Sequence, residues 1–314
     1  MFSLLGGVFM GWALGANDAA NVFGTAVSSK MLKFRTAAIL AAIFVILGAV
    51  FSGRAGIETI QNLTNFDLHQ AVISSVAAAI TVTIMTAFSL PISTSQSVVG
   101  SIIGISIINR QVNFDGMGKV VACWFGTPVG CAIIAIILYK LLSVIYNRFK
   151  PNMFESDSII RAGMIVAGSF GAYALGANNV ANVTAVFVGS GTLSVFNAAL
   201  IGGLSIAFGI ITNGRHLMEN IGKKLVKLDP FSALVVLLAV GITIHIYSII
   251  GVPVSSSQAI IGGVLGVGII RGVNTIKIKM LFNILIGWFL TPFVACFFAL
   301  AIEFIVHLHY IPHQ

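Results

Sequence analysis

A seven-residue string, Gly15-Ala16-Asn17-Asp18-Ala19-Ala20-Asn21, interrupts an apolar run extending from Phe2 to Val27. It returns half a chain later as Gly176-Ala177-Asn178-Asn179-Val180-Ala181-Asn182, in a sequence of 314 residues. A carboxylate and carboxamides are costly inside an apolar stretch and mark an ion or substrate path there. Two other strings keep nearly the same shift. Leu90-Pro91-Ile92-Ser93-Thr94-Ser95-Gln96-Ser97 recurs as Val252-Pro253-Val254-Ser255-Ser256-Ser257-Gln258, and Trp124-Phe125-Gly126-Thr127-Pro128 recurs as Trp288-Phe289-Leu290-Thr291-Pro292. Three unlike strings in one register imply a duplicated structure whose halves share a central site.

Composition says what is duplicated. With 58% hydrophobic and 8% charged residues, 33 glycines and a mean hydropathy of +1.03, the chain reads as an all-α polytopic membrane protein. The stretches Thr36–Ser52, Gln70–Phe88, Val120–Leu142, Ser232–Ile250 and Leu281–Val306 approach or exceed the roughly 20 residues that cross a bilayer. No alternating apolar and polar pattern supports a barrel. Phe2 to Ser29 would be about 42 Å long as one helix, so it is expected to tilt or to break near the Asn-Asp pair. It reads as a first span and not as a signal peptide. Proline favours the first turn of a helix, so each hydroxyl-rich box reads as a helix amino terminus inside the membrane, broken or re-entrant. Cys123, Cys131 and Cys296 match no metal or redox spacing and read as small packing residues.

The basic residues orient the halves. The net charge of +8 sits in short clusters between spans, which argues for topology signals and against nucleic-acid binding. The loop after the first Asn-Asp span holds Lys30, Lys33 and Arg35, whereas its counterpart, Gly189–Ser194, holds none. The next loop reverses this: residues 53–69 contain only Arg54, and residues 213–230 contain Arg215, Lys223, Lys224 and Lys227. Opposite bias in equivalent loops means inverted repeats. With about five membrane segments per half, 14 of the 17 Lys and Arg fall on one face, leaving Arg54, Arg110 and Lys119 on the other. The expected organisation is a first repeat at 1–146, a cytoplasmic linker at 147–161 and a second repeat at 162–314, with both termini extracellular.

The duplicated G-A-N-[DN]-x-x-N strings and the P-[IV]-S-[TS]-S-Q boxes resemble the PiT family of inorganic phosphate transporters, in the family's order and over nearly the whole chain. The resemblance implies an inverted-repeat secondary transporter that couples phosphate entry to Na+ or H+. The residues read the same way. An oxyanion held without a salt bridge needs a concave set of N–H and O–H donors, which helix amino termini and hydroxyls supply. Ser93, Thr94, Ser95, Gln96, Ser255, Ser256, Ser257 and Gln258, with Asn21 and Asn182, are the expected phosphate ligands. A hard cation needs oxygens, and Asn17, Asp18, Asn178 and Asn179 are the expected Na+ ligands, helped by carbonyls freed where helices unwind. Asn179 stands where the family typically has Asp. One of two symmetry-related carboxylates is therefore absent, and fewer cations per anion are expected than in two-Asp relatives.

The expected function is import of inorganic phosphate with Na+ or H+ across the cytoplasmic membrane by alternating access. A sulfate permease of the same fold is the nearest alternative, and a passive anion channel a further one. No nucleotide-phosphate loop and no plausible catalytic pair is present in sequence, so neither an enzyme nor an ATP-driven pump is expected. The partners are the anion, its coupling cation and the bilayer; a homo-oligomer is left open, and no other cofactor is expected.

Overall fold

A computed structural model of the chain describes residues 2–63, 66–88, 92–109, 114–225, 228–272 and 278–310, and every regular element among them is helical. In order these are α1 Leu5–Ser28, α2 Phe34–Ser52, α3 Arg54–Gln61, α4 Leu68–Ala87, α5 Thr94–Ile108 and α6 Phe114–Phe149. The second half follows with α7 Met153–Gly189, α8 Val195–Leu225, α9 Pro230–Ile250, α10 Ser256–Arg271 and α11 Ile278–Tyr310. Among the described residues, seven helices are long and apolar enough to cross a membrane: α2, α4, α6, α7, α8, α9 and α11. Helix α1, 24 residues long, also has the reach at about 36 Å, although its Asn and Asp dilute its hydropathy. Leu90 and Pro91, which head the first hydroxyl-rich box, lie outside the described residues.

Close approaches fix how the helices run. Along α1 and α7, Gly7 meets Phe187, Gly11 meets Val183, Gly171 meets Val22 and Gly168 meets Phe23. One number rises as the other falls, so these repeat-related helices are antiparallel. Their two motifs lie level with each other, between the ends of this contact. Each helix also has a parallel partner in the opposite half. Gly15 and Gly24 of α1 meet Ile206 and Met218 of α8, and Gly48 of α2 and Gly53 at its end meet Tyr173 and Val180 of α7. The halves are therefore inverted and swapped against each other. Glycines make this possible, because small residues let backbones approach where lipid supplies no hydrophobic drive between helices.

The remaining helices form two hairpins. Gln70 donates to Asn109 at 3.2 Å, the Ser74 and Ser101 hydroxyls pair at 2.9 Å, and Ser97 donates to the Ala78 carbonyl at 3.1 Å. Helix α5 thus folds back along α4. In the second half Arg271 bonds Asp229, and Gly263 packs on Val236, so α10 folds back along α9. Capping sets where each hairpin starts: Asp67 accepts from the Gln70 N–H at 2.8 Å, and Asp229 from the Ser232 N–H at 3.0 Å. The two hairpins approach from opposite sides, α4 running parallel to α1 and α9 parallel to α7. Gly100 of α5 sits on Pro292 of α11, and Gly262 of α10 on Pro128 of α6, so the outer helices embrace the opposite repeat's hairpin.

Of the two alternatives for the first span, a tilt or a break at the Asn-Asp pair, the break is absent. Helices α1 and α7 both run unbroken through their motifs, where Asn17 and Asn21 bond Asp18 and Asn182 bonds Asn179 instead of competing for the helix backbone. The breaks at the centre lie in the hairpins, between α4 and α5 and between α9 and α10. Apart from the short α3, each half contributes five helices, of which α4 with α5 and α9 with α10 make the hairpins. The segment at 147–161 is occupied by the end of α6, a short break, and the first turns of α7, which Asn152 and Glu155 start with a capping box.

Candidate functional site

The hairpin tips meet. Ser93 and Ser255 cap α5 and α10, each accepting from the N–H of the glutamine one turn on at 3.3 Å. The Ser257 hydroxyl donates across to the Ile92 carbonyl at 2.7 Å and pairs with the Ser255 hydroxyl at 2.8 Å. Two helix amino termini from different repeats are thereby brought to one place. Each carries about half a positive charge on its free N–H groups, and together they favour an anion.

Asp18 lies at this junction, 1% exposed. Its carboxylate accepts from the Asn17 amide at 2.8 Å, the Asn21 amide at 3.4 Å and the Thr94 hydroxyl at 3.3 Å. Asn21 donates at 2.9 Å to the Ser256 hydroxyl as well, so α1 is tied to the first turns of both α5 and α10. Thr86, near the end of α4, donates to the Asn17 carbonyl at 3.2 Å. A carboxylate held by neutral donors keeps its charge available to a cation, and carboxylate oxygens are the ligand type that a hard ion takes.

The second motif is arranged differently. Asn178 donates to the Val252 carbonyl at 3.1 Å and accepts from the Val254 N–H at 3.0 Å, clasping the extended segment that leads into α10. Asn182 donates to the Asn179 carbonyl at 2.9 Å, repeating the Asn21–Asp18 contact with an amide in place of the acid. Of the expected cation ligands, Asn17 bonds Asp18, Asn179 bonds the expected phosphate ligand Asn182, and both polar ends of Asn178 are engaged by backbone.

Buried polar groups are normally paired, so those left over are informative. Ten buried side-chain polar atoms among the described residues have no partner, and seven belong to the three duplicated strings. They are Ser95 Oγ, Gln96 Oε1, Gln258 Oε1, Asn179 Nδ2, Asn182 Oδ1 and the indole nitrogens of Trp124 and Trp288. All of the expected phosphate ligands except Ser257 are buried, and Ser257 is partly so. Ser97, whose hydroxyl is spent on the Ala78 carbonyl, serves the hairpin instead. Sequence reasoning gave no role to Thr86, or to the two tryptophans despite their duplication. Beside Asn17, a cavity of about 250 Å³ lined by Trp12, Ala16, Thr83, Thr86, Asn213 and His216 leads toward the exposed side chains of Asn213 and His216 on α8.

A family model described as the phosphate transporter family matches residues 14–299. A provisionally named phosphate permease of Methanocaldococcus jannaschii is 30% identical over 94% of this chain and 92% of its own length. The sulfate permease CysP of Bacillus subtilis is 26% identical over 93% of this chain and 84% of its own. Among solved structures, one titled the sodium-dependent phosphate transporter superposes with a TM-score of 0.87 at 23% identity, covering 98% of this chain and 100% of that one.

Proposed function

The chain belongs to the phosphate transporter family, and from that premise we propose that it imports inorganic phosphate together with Na+ by alternating access. The observation that carries the reading is the convergence of two oppositely inserted helix amino termini, with their buried hydroxyls, on the single carboxylate of Asp18. Among the described residues no lysine or arginine is buried, so the anion is bound by dipoles and neutral donors. Without a fixed positive charge, phosphate binds well only when a cation accompanies it. Asp18 with Asn17 and Asn21 supplies oxygens for that cation, and each ion lowers the cost of burying the other. Sodium is favoured over the proton because the structural neighbour is named as sodium-dependent.

Topology follows the positive-inside rule. The break between α6 and α7 faces the cytoplasm and both termini face outward. The α4–α5 hairpin then enters from outside and α9–α10 from inside. The cavity beside Asn17 opens toward the cytoplasmic end of α8 and is the release path. Transport consists of tilting one hairpin against the other around their shared tip.

Sulfate transport is the second reading, favoured by the relative named as a sulfate permease. Asn182 Oδ1, a buried acceptor without a partner, argues for phosphate, because phosphate at neutral pH carries a proton to donate and sulfate carries none. Uptake into liposomes by the purified protein decides both questions. The expected result is accumulation of phosphate, not sulfate, driven by a Na+ gradient and unaffected by a H+ gradient of equal size. Sulfate accumulation would replace the anion assignment, and equilibration without accumulation would replace coupling with passive conduction.

A further inference from the structure

We propose that Trp124 and Trp288 donate their indole N–H groups to the transported oxyanion, adding an aromatic pair to its ligands. The proposal rests on the transport reading above and assigns the one duplicated string that reading leaves unused. Both indole nitrogens are buried without a partner, and both side chains are 8% exposed. An indole nitrogen can only donate, so a buried one without an acceptor is destabilising unless something arrives to accept.

Helix register says where these donors point. Gly262 and Gly266 of α10 pack on Pro128 and Ala132 of α6, so the two helices run parallel and Trp124 is level with Gln258. Gly100 and Gly104 of α5 pack on Pro292 and Cys296 of α11, which puts Trp288 level with Gln96. Long side chains on a helix lean toward its amino terminus. Each indole therefore leans over the amino terminus of the hairpin helix beside it, at Ser255 or Ser93. Trp288 also packs into the apolar cluster of α6, α9 and α10, although its own helix runs along α5, so it spans the junction of the two tips. Gln96 and Gln258 present unpartnered Oε1 atoms at the same two levels, so polar groups stand beside the apolar clusters that hold the rings. Symmetry excludes an accident of one side chain. Two donors in equivalent positions, one from each repeat, stand level with the first turns of the two helices whose positive ends converge.

The test uses the chain's third tryptophan as a subtraction. Trp12 has its own partner, donating to the Thr212 hydroxyl at 3.0 Å. In a Trp12→Phe protein the emission comes from Trp124 and Trp288 alone. Inorganic phosphate with Na+ is expected to change that emission with the midpoint that calorimetry gives for binding to the same protein. Calorimetric binding with unchanged emission would overturn the proposal. Trp124→Phe and Trp288→Phe keep the ring and remove the donor, and each is expected to weaken phosphate binding roughly ten-fold or more, as losing a hydrogen bond to a charged group does. Unchanged affinity in both variants would also overturn it. Should the unmodified protein bind neither phosphate nor sulfate, the transport reading itself would fail, which is a separate result from either of these.

Discussion

Gly176 on α7 lies so close to Val45 on α2 that a Cβ there would fall 2.0 Å from the Val45 carbonyl oxygen. Its repeat mate, Gly15 on α1, stands in the same relation to Ile206 on α8, also at 2.0 Å. The glycine that opens each motif is therefore a packing device, seating the helix that carries the polar residues against its partner from the other half. Gly176→Ala is expected to force the helices apart and to destabilise the protein by about 1–3 kcal/mol or more, as overpacking does. Thermal unfolding in nanodiscs checks this. The control is Gly130→Ala, where a Cβ would meet nothing within 4 Å and the midpoint is expected to stay put.

Asp18 is the only acid among the buried residues described, and three neutral donors hold it. Asp18→Asn keeps its size and one carbonyl oxygen but removes the charge. The protein is expected to fold while losing the dependence of phosphate binding on Na+, because no anionic oxygen remains for the cation. Calorimetric titrations of phosphate with and without Na+ measure it. A variant that still shows the wild-type Na+ effect would remove Asp18 from the cation site.

Much of this arrangement was legible in the chain because duplication is a global signal. A nearly constant shift carried Asn17 to Asn178, Ser93 to Ser255 and Trp124 to Trp288, across motifs of unlike chemistry, and loop charge then gave the inversion. The hairpins were harder to read. Thr94–Ile108 is largely apolar, and periodicity cannot distinguish a helix that crosses from one that turns back; the contacts that decide it, Ser74 with Ser101 and Ser97 with Ala78, join ordinary serines. The same limit hid the continuity of α1. From composition an Asn-Asp pair inside a span is as compatible with unwinding as with side chains that bond one another. Trp124 and Trp288 were visible as a repeat but not as polar groups, since an indole in an apolar run reads as packing until its nitrogen is seen to lack a partner.

Ser257 is the side chain that ties one tip to the other, through the Ile92 carbonyl. Removing the hydroxyl leaves a buried carbonyl short of a donor, at a cost of about 1–3 kcal/mol. Ser257→Ala is therefore expected to favour states with parted tips, lowering phosphate affinity and the unfolding midpoint together. Ser143→Ala, at an exposed serine that bonds only its own helix, serves as the comparison and is expected to change neither.

Asn179 offers the sharpest test of how charge is counted. It occupies the position that Asp18 holds in the first repeat, accepts from Asn182 as Asp18 accepts from Asn21, and is fully buried with its amide nitrogen unpartnered. Asn179→Asp removes that orphan donor, keeps an acceptor for Asn182, and adds a second buried negative charge. Such a charge is tolerated only with a compensating ion. The substituted protein is accordingly expected to move about one more Na+ per phosphate than the unmodified chain, on the one-charge-one-ion balance that burial demands. Parallel measurements of labelled Na+ and phosphate uptake in the same liposomes give the ratio directly. A rise places Asn179 beside the cation path and explains the native amide as a reduction in ions moved per anion; an unchanged ratio with intact uptake would separate this residue from the ions and leave Asp18 as the only counted charge.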